Sequence, residues 1–101
     1  MESILEKISK LDQYFRSTSD QPDNLRFLQR VVKLSEEVGE LAEAALTETD
    51  PDQRVKEREI NFDAELADVI ITALMLSTGR KVIVSDEIHK KLDAVMKRFN
   101  I

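Results

Sequence analysis

The sequence predicts an all-α protein, a single domain built as a four-helix bundle. Apolar residues recur at the helical period along most of the 101 residues, and the 2 Gly and 2 Pro leave few places for turns. Hydrophobic residues make up 42% of the chain and charged residues 35%, which is typical of a folded globular protein and not of a disordered one. We therefore expect residues 1–101 to form one helical domain.

The first two helices are predicted on either side of a short polar break. The first covers about residues 2–16 and the second about residues 24–47, because each carries one apolar stripe at helical spacing. The polar residues 17–23 between them are expected to form the connection. The stripes are Ile4, Ile8, Leu11 and Phe15 on the first helix, and Phe27, Val31, Leu34, Val38, Leu41 and Ala45 on the second.

The last two helices are delimited by capping signals. The third is predicted to end near Thr78, with Gly79 as a left-handed C-terminal cap. Its start is open: the charged residues 54–59 are either its first turns or a separate short helix, and Asn61 is a candidate N-cap for a helix that begins at the next residue. The fourth helix is predicted to follow an N-cap at Ser85. Its apolar stripe consists of Ile88, Leu92, Val95 and Phe99.

The composition excludes several classes of function. There is no Cys, so disulfides, thiol catalysis and Cys-ligated zinc are ruled out. The formal net charge of -5 disfavours a nucleic-acid partner, because binding a phosphate backbone requires clustered Lys and Arg. The acidic N-terminus, with Glu2 and Glu6, does not fit a signal peptide, and no apolar run is long enough to span a membrane. A cytoplasmic location is therefore expected.

Four glutamates on the second predicted helix fall within about 120° of one another, opposite its apolar stripe. Like charges one turn apart repel, at about 0.2–0.5 kcal/mol for each pair, and only Lys33 on the same face offsets them locally. One interpretation is a solvated acidic face, and the other is a surface that binds a cation. The glutamates are Glu36, Glu37, Glu40 and Glu43.

The third predicted helix places carboxylates among apolar residues. Over residues 64–76 only Glu65, Asp68 and Thr72 are polar, and they lie within about 60° of one another. A helix that is apolar nearly all round is expected to be buried, in a bundle core or a subunit interface. Because an unpaired buried carboxylate is costly, Glu65 and Asp68 are expected to face a cation.

An antiparallel pairing of the second and third helices would bring the two acidic stripes into one cleft. Mg²⁺ fits this cleft, with Mn²⁺ as a possible substitute, because both ions take oxygen ligands and the chain offers no Cys and no suitably placed His. Carboxylate–metal clefts are typical of proteins that act on phosphate esters or anhydrides. Interhelical salt bridges to Lys or Arg from elsewhere in the chain are the alternative.

The spacing of these carboxylates also resembles a known signature. The sequence LSEEVGEL at residues 34–41, followed by Glu65-Leu66-Ala67-Asp68, is similar to the EExxE and ExxD motifs of the MazG-like nucleoside triphosphate pyrophosphohydrolases, and the resemblance extends over about residues 28–98. It implies an all-α fold whose core is completed by homodimerisation, with some relatives pairing again as tetramers. It also implies Mg²⁺-dependent cleavage of the α–β phosphoanhydride of a nucleoside triphosphate, releasing a monophosphate and pyrophosphate, in a house-cleaning role for the nucleotide pool.

The resemblance assigns roles to residues that match its motif. Glu37, Glu40, Glu65 and Asp68 would be metal ligands, and Glu36 would be an additional ligand or would position the attacking water.

A downstream Lys and Arg in such proteins correspond to Lys91 and Arg98, which would bind the substrate phosphates. Val95 stands where relatives often carry Asn, so no contact from that position is expected. Lys33 is a further candidate for phosphate binding. The other interpretation of Lys91 and Arg98 is a solvated helical edge, and that of Lys33 is simple offset of the neighbouring negative charges.

Two other functions fit the same pattern. One is a non-enzymatic helical dimerisation module, in which the acidic residues are surface or interface charges. The other keeps the fold and the metal but acts on phosphoribosyl-ATP, dUTP or dCTP. The sequence names neither the base nor the sugar.

Overall fold

The computed structural model describes residues 1–50, 61–80 and 84–101, and within them the chain forms four helices and no strand, which confirms the all-α prediction. Helix α1 spans Ile4–Thr18, α2 spans Asp23–Thr49, α3 spans Phe62–Gly79 and α4 spans Val84–Arg98. The prediction for residues 54–59 lies outside the described part of the chain. None of the four helices has the length and apolarity that crossing a membrane requires.

Side-chain caps fix the starts of α1 and α3. The Ser3 hydroxyl accepts a hydrogen bond from the backbone N–H of Glu6 at 3.1 Å, and the Asn61 side chain accepts one from Ala64 at 3.2 Å. Each bond satisfies an N–H group that the first helical turn leaves without an intrahelical partner. The start of α3 directly after Asn61 was one of the options that the sequence left open.

Two predicted helix caps are wrong, although α3 ends within one residue of its predicted end. Gly79 is the last residue of α3 and does not have a positive φ angle, so it is not a left-handed cap. A Cβ atom there would lie 2.7 Å from Nη1 of Arg30, so close approach of the guanidinium explains the glycine. Ser85 lies inside α4, which begins one residue earlier. The left-handed position occurs instead at Asn100, with φ 56°, just beyond α4.

Helices α2 and α3 form an antiparallel pair, and α1 packs on another side of α3. Arg30, early in α2, donates from Nη1 to the carbonyl of Met75, late in α3, at 3.1 Å. Further along α2, Glu37 lies close to Glu65, near the start of α3. Since rising residue numbers on one helix meet falling numbers on the other, the predicted antiparallel arrangement is present.

An ion-pair network fixes the end of the bundle where α1 meets α2. Asp12 is buried, and one of its carboxylate oxygens lies 2.7 Å from Nη2 of Arg30 in an ion pair, while Nε of Arg16 donates to the carboxylate at 3.1 Å. Arg16 also contacts Asp23 at 3.1 Å. Burial raises the pKa of Asp12, but the hydrogen bonds and positive charges of Arg30 and Arg16 outweigh it, and the pKa lies below its ordinary value. The network joins α1, α2 and, through Met75, α3.

Much of the apolar surface of the described chain is not covered. Its buried hydrophobic residues are Ile8, Ala44 and Met75. The radius of gyration is 16.9 Å, whereas a compact domain of this length has about 13 Å. Residues 86–98 of α4 are all exposed, and among the described residues none buries the apolar stripe of this helix.

Helix α3 is not buried in the core of the single chain, so that alternative is wrong, and burial in a subunit interface stays a prediction. Only Glu65 and Met75 of this helix are buried, while Ile70 and Ile71 are 51% and 40% exposed. The physical reason is that α1 and α2 cover only part of the circumference of α3, and α4 does not pack extensively against it.

Candidate metal site

Three carboxylates meet between α2 and α3. Glu37, Glu65 and Asp68 each place one carboxylate oxygen so that the three atoms lie within 4.8 Å of one another. Glu65 and Asp68 share one face of α3 because they are three residues apart, and Glu37 approaches from α2. We call these three residues the carboxylate cluster.

The cluster is only partly buried. Glu37 and Glu65 are each 6% exposed, which bears out the expectation of a buried carboxylate at Glu65. Asp68 is exposed, so the prediction that it lies in the interior is wrong for the single chain. One helical turn beyond Glu65, its side chain reaches the open side of the α2·α3 contact.

Glu37 has one oxygen that is paired and one that is not. Its Oε1 lies 3.0 Å from Nζ of Lys33, one turn earlier on α2. Its Oε2 is buried and has no hydrogen-bond partner. A buried carboxylate oxygen without a partner is unfavourable and is a natural place for a cation. The hydrogen bond to Glu37 and the negative charge of that carboxylate raise the pKa of Lys33 above its ordinary value.

The ligands that the cluster offers fit Mg²⁺ or Mn²⁺. All three are carboxylates, the hard oxygen ligands that these ions prefer. The fit does not depend on acidity alone, because Glu37, one of the three residues, has a buried Oε2 without a hydrogen-bond partner. These residues can therefore hold a divalent ion.

Two further glutamates of the predicted site lie on α2 beside the cluster. Glu36 is exposed, and its Oε2 lies 3.9 Å from Nζ of Lys33. Glu40 is half-buried and is not one of the three residues whose oxygens converge. The structure thus brings together three of the four predicted metal ligands, with Glu36 one residue from the cluster and facing solvent.

The predicted phosphate-binding residues of α4 are not brought to the cluster. Lys91 and Arg98 are exposed and are not among the described residues that the structure shows in contact with the cluster carboxylates. The guanidinium of Arg98 instead lies 5.7 Å from the centre of the Phe99 ring. Within one chain, Lys33 is the predicted phosphate-binding residue that contacts the cluster.

A cavity of about 440 Å³ adjoins the cluster, between α1, α2 and α3. Lys33 lines it, and so does Thr72, whose hydroxyl donates to the carbonyl of Asp68 at 2.8 Å. Lys33 and Thr72 are each one helical turn from a cluster residue, Glu37 and Asp68 respectively. Its apolar walls include Leu11, Phe15, Ile71 and Met75, and its polar residues include Gln21, Gln29, Arg26 and Arg30.

The sequence does not reveal this cavity. Its pattern predicts Phe15 on the core stripe of α1, and the structure leaves Phe15 42% exposed on the cavity wall. Gln21 and Gln29 carry no local signal, because they line the same space only after three helices pack together.

Comparison of the chain with models of known protein families, with curated proteins and with solved structures found no match.

Proposed function

We propose that this chain is a Mg²⁺-dependent nucleotide pyrophosphohydrolase that cleaves the α–β phosphoanhydride of nucleoside triphosphates. The carrying observation is the convergence of Glu37, Glu65 and Asp68, with a buried oxygen of Glu37 that has no hydrogen-bond partner. The spacing of the motifs, which resembles that of MazG-like enzymes, supports the same proposal. Anionic phosphates can approach an acidic protein at such a place only where a metal ion offsets the repulsion.

Different residues of this chain would hold the metal ion and orient the attacking water. Glu37, Glu65 and Asp68 would hold the ion, with Glu40 one turn along α2 as a further ligand. A divalent ion bound there supplies positive charge for the phosphate oxygens and lowers the pKa of a bound water. Glu36, exposed beside the cluster, would orient the water for attack, because a carboxylate can accept its proton.

The adjoining cavity would receive the nucleoside part of the substrate. Its volume of about 440 Å³ lies in the range of small-molecule sites, and it combines apolar walls with a few polar side chains. Phe15 offers a ring face for a base, and Gln21 and Gln29 offer both donors and acceptors for its edge. Lys33 lies between this cavity and the cluster, where a triphosphate would pass.

We further propose that the functional unit is a homodimer, or a tetramer of two dimers. A chain that leaves α4 uncovered and buries few apolar residues gains little from the hydrophobic effect, while ordering its backbone costs about 1–2 kcal/mol per residue. A second copy would cover these surfaces. Light scattering behind size exclusion should give twice the chain mass or more, and a monomer at micromolar concentration would overturn this part of the proposal.

The exposed apolar surface also favours a second candidate, a non-enzymatic dimerisation module. The two candidates differ in their response to metal. An enzyme with a carboxylate site should gain thermal stability as Mg²⁺ or Mn²⁺ is added, and a module whose acids are surface charges should not.

The deciding experiment is a panel of ribo- and deoxynucleoside triphosphates with Mg²⁺, with the products separated by anion exchange. We expect a monophosphate and pyrophosphate. Diphosphate with free phosphate would mean that another bond is cut, and no product from any substrate would refute the proposal. Including phosphoribosyl-ATP, dUTP and dCTP tests the alternative substrates.

Two variants connect that activity to the site. Glu37→Gln and Asp68→Asn keep the shape of each side chain but remove its charge, so both should abolish hydrolysis and the stabilisation by metal while leaving the helical content unchanged. Glu43→Gln is the matched control, an exposed glutamate on the same helix, and should behave as wild type. Full activity in both site variants would show that the site is assigned wrongly.

A further inference from the structure

Lys33 and Glu37 form an unequal pair. They are one turn apart on α2, with Nζ of Lys33 3.0 Å from Oε1 of Glu37. The lysine side chain is 57% exposed, whereas that of Glu37 is 9% exposed. Packing therefore fixes the carboxylate of Glu37, while the long side chain of Lys33 can move away from it without disturbing the packing of the helices.

The ammonium of Lys33 also lies close to two further glutamates of α2. Its second contact is Oε2 of Glu36 at 3.9 Å, and the charge of Glu40 acts on it as well. Lys33 is thus a positive charge on α2 that accompanies these carboxylates in the structure. A divalent ion in the cluster would repel this ammonium and compete with it for Glu37.

We propose that Lys33 is an exchangeable counter-ion of the carboxylate cluster. In the metal-free protein it pairs with Glu37, and on metal binding it gives up that carboxylate and turns toward the adjoining cavity, whose wall it already forms. There its ammonium is free to bind a phosphate of the substrate. This inference rests on the proposed function and adds a positioning step, in which one cation replaces another and no covalent bond changes.

The exchange predicts a specific thermodynamic signature for Lys33→Met. Without metal the variant should have a lower Tm than wild type, because Glu37 loses its partner while remaining buried. At saturating Mg²⁺ the two Tm values should coincide, because Glu37 then binds the metal ion in both proteins and is not paired with Lys33 in either. By linkage, the variant should bind Mg²⁺ about two- to fivefold more tightly in calorimetry. This factor corresponds to the free energy that an exposed ion pair contributes.

The control removes a comparable charge elsewhere. Lys10 on α1 pairs with Glu2 at 2.7 Å, with 70% of its side chain exposed. Lys10→Met should leave the Mg²⁺ affinity unchanged. Lys33→Arg, which keeps the charge and can still pair, should retain the metal-free Tm of wild type.

A second readout concerns the released ammonium. Lys33→Met should weaken the binding of a non-hydrolysable α,β-methylene triphosphate in the presence of saturating Mg²⁺, although it strengthens the binding of Mg²⁺ alone. Opposite changes for the two ligands are expected only if Lys33 exchanges one partner for the other. A purely structural lysine would not produce them.

The outcomes separate this inference from the proposed function. If Mg²⁺ stabilises wild type and Lys33→Met by the same increment, so that their Tm difference persists at saturation, the exchange is overturned while the metal site stands. If Mg²⁺ stabilises neither protein and calorimetry detects no binding, the proposed metal site fails and the exchange fails with it. Unchanged affinity for the triphosphate analogue would overturn the second step alone.

Discussion

Replacing Asp12 by Asn tests what holds the three packed helices together. Asp12 is on α1, and its carboxylate binds Arg30 of α2 at 2.7 Å and Arg16 at 3.1 Å. The side chains of Asp12 and Arg30 are only 10% and 12% exposed, so solvent screens their attraction weakly. Asn keeps the size of the side chain but removes the charge that both guanidinium groups face.

The expected loss of stability comes mainly from the contact with Arg30. A hydrogen bond to a charged group contributes about 1.5–3 kcal/mol, and leaving a nearly buried guanidinium without its counter-charge adds to the loss. The contact with Arg16 contributes less, because 35% of that side chain is exposed. We expect Asp12→Asn to reduce the free energy of unfolding by about 2–3 kcal/mol, or about 10–20 °C in Tm for a domain of this size.

The measurement is thermal and urea unfolding of both proteins at one chain concentration, since association makes Tm depend on concentration. Asp20→Asn is the control, because Asp20 is an exposed acid in the connection between α1 and α2. A loss below about 0.5 kcal/mol for Asp12→Asn, within the range of ordinary surface substitutions, would refute the argument that this network ties α1 to the α2·α3 pair.

Two further predictions concern the same network. In the folded protein the pKa of Asp12 lies below its ordinary value of 3.8. The carboxylate therefore stabilises the fold fully above the unfolded-state pKa, and this stabilisation is lost as the pH falls through the folded-state pKa. The Tm difference between wild type and Asp12→Asn should stay constant from pH 7 to about pH 5 and shrink below about pH 4. A difference that is the same at pH 3 and pH 7 would contradict this. Gly79→Ala should lower the free energy of unfolding by about 1 kcal/mol in chemical denaturation. The new Cβ would lie 2.7 Å from Arg30 Nη1 and displace the guanidinium. The loss of its hydrogen bonds outweighs the roughly 1 kcal/mol gained in helix propensity. In an Arg30→Met background the same substitution should become neutral or stabilising, and an unchanged cost there would mean that Arg30 is not the reason for the glycine.

The sequence predicted the parts of the fold that are local. Helical period and capping residues depend on neighbours within a turn, so the four helices lie within a few residues of their predicted bounds, although the start of α3 was left open between two options. The wrong capping predictions have causes that the local pattern does not contain. Gly79 has its role because Arg30 approaches from another helix.

The sequence also narrowed the candidate site to a few acids on two helices. The sequence indicates Glu65 and Asp68 because carboxylates among apolar neighbours need a cation, and Glu37 because it lies on the acidic face of α2 and matches the EExxE motif. Which oxygens converge could not be derived, because this depends on the register between α2 and α3. The same limit applies to Asp12, whose two arginine partners include one from another helix.

What the sequence determined by itself is the helical class, the approximate helices and the acidic residues on two helical faces, because these follow from the geometry of one helix. Tertiary packing decided that Glu37 is buried with one oxygen unpartnered, that Asp68 faces solvent and that α4 with Lys91 and Arg98 is exposed. It also created the cavity beside Lys33. These features depend on contacts between residues far apart in the chain, and no periodicity within a single helix encodes them.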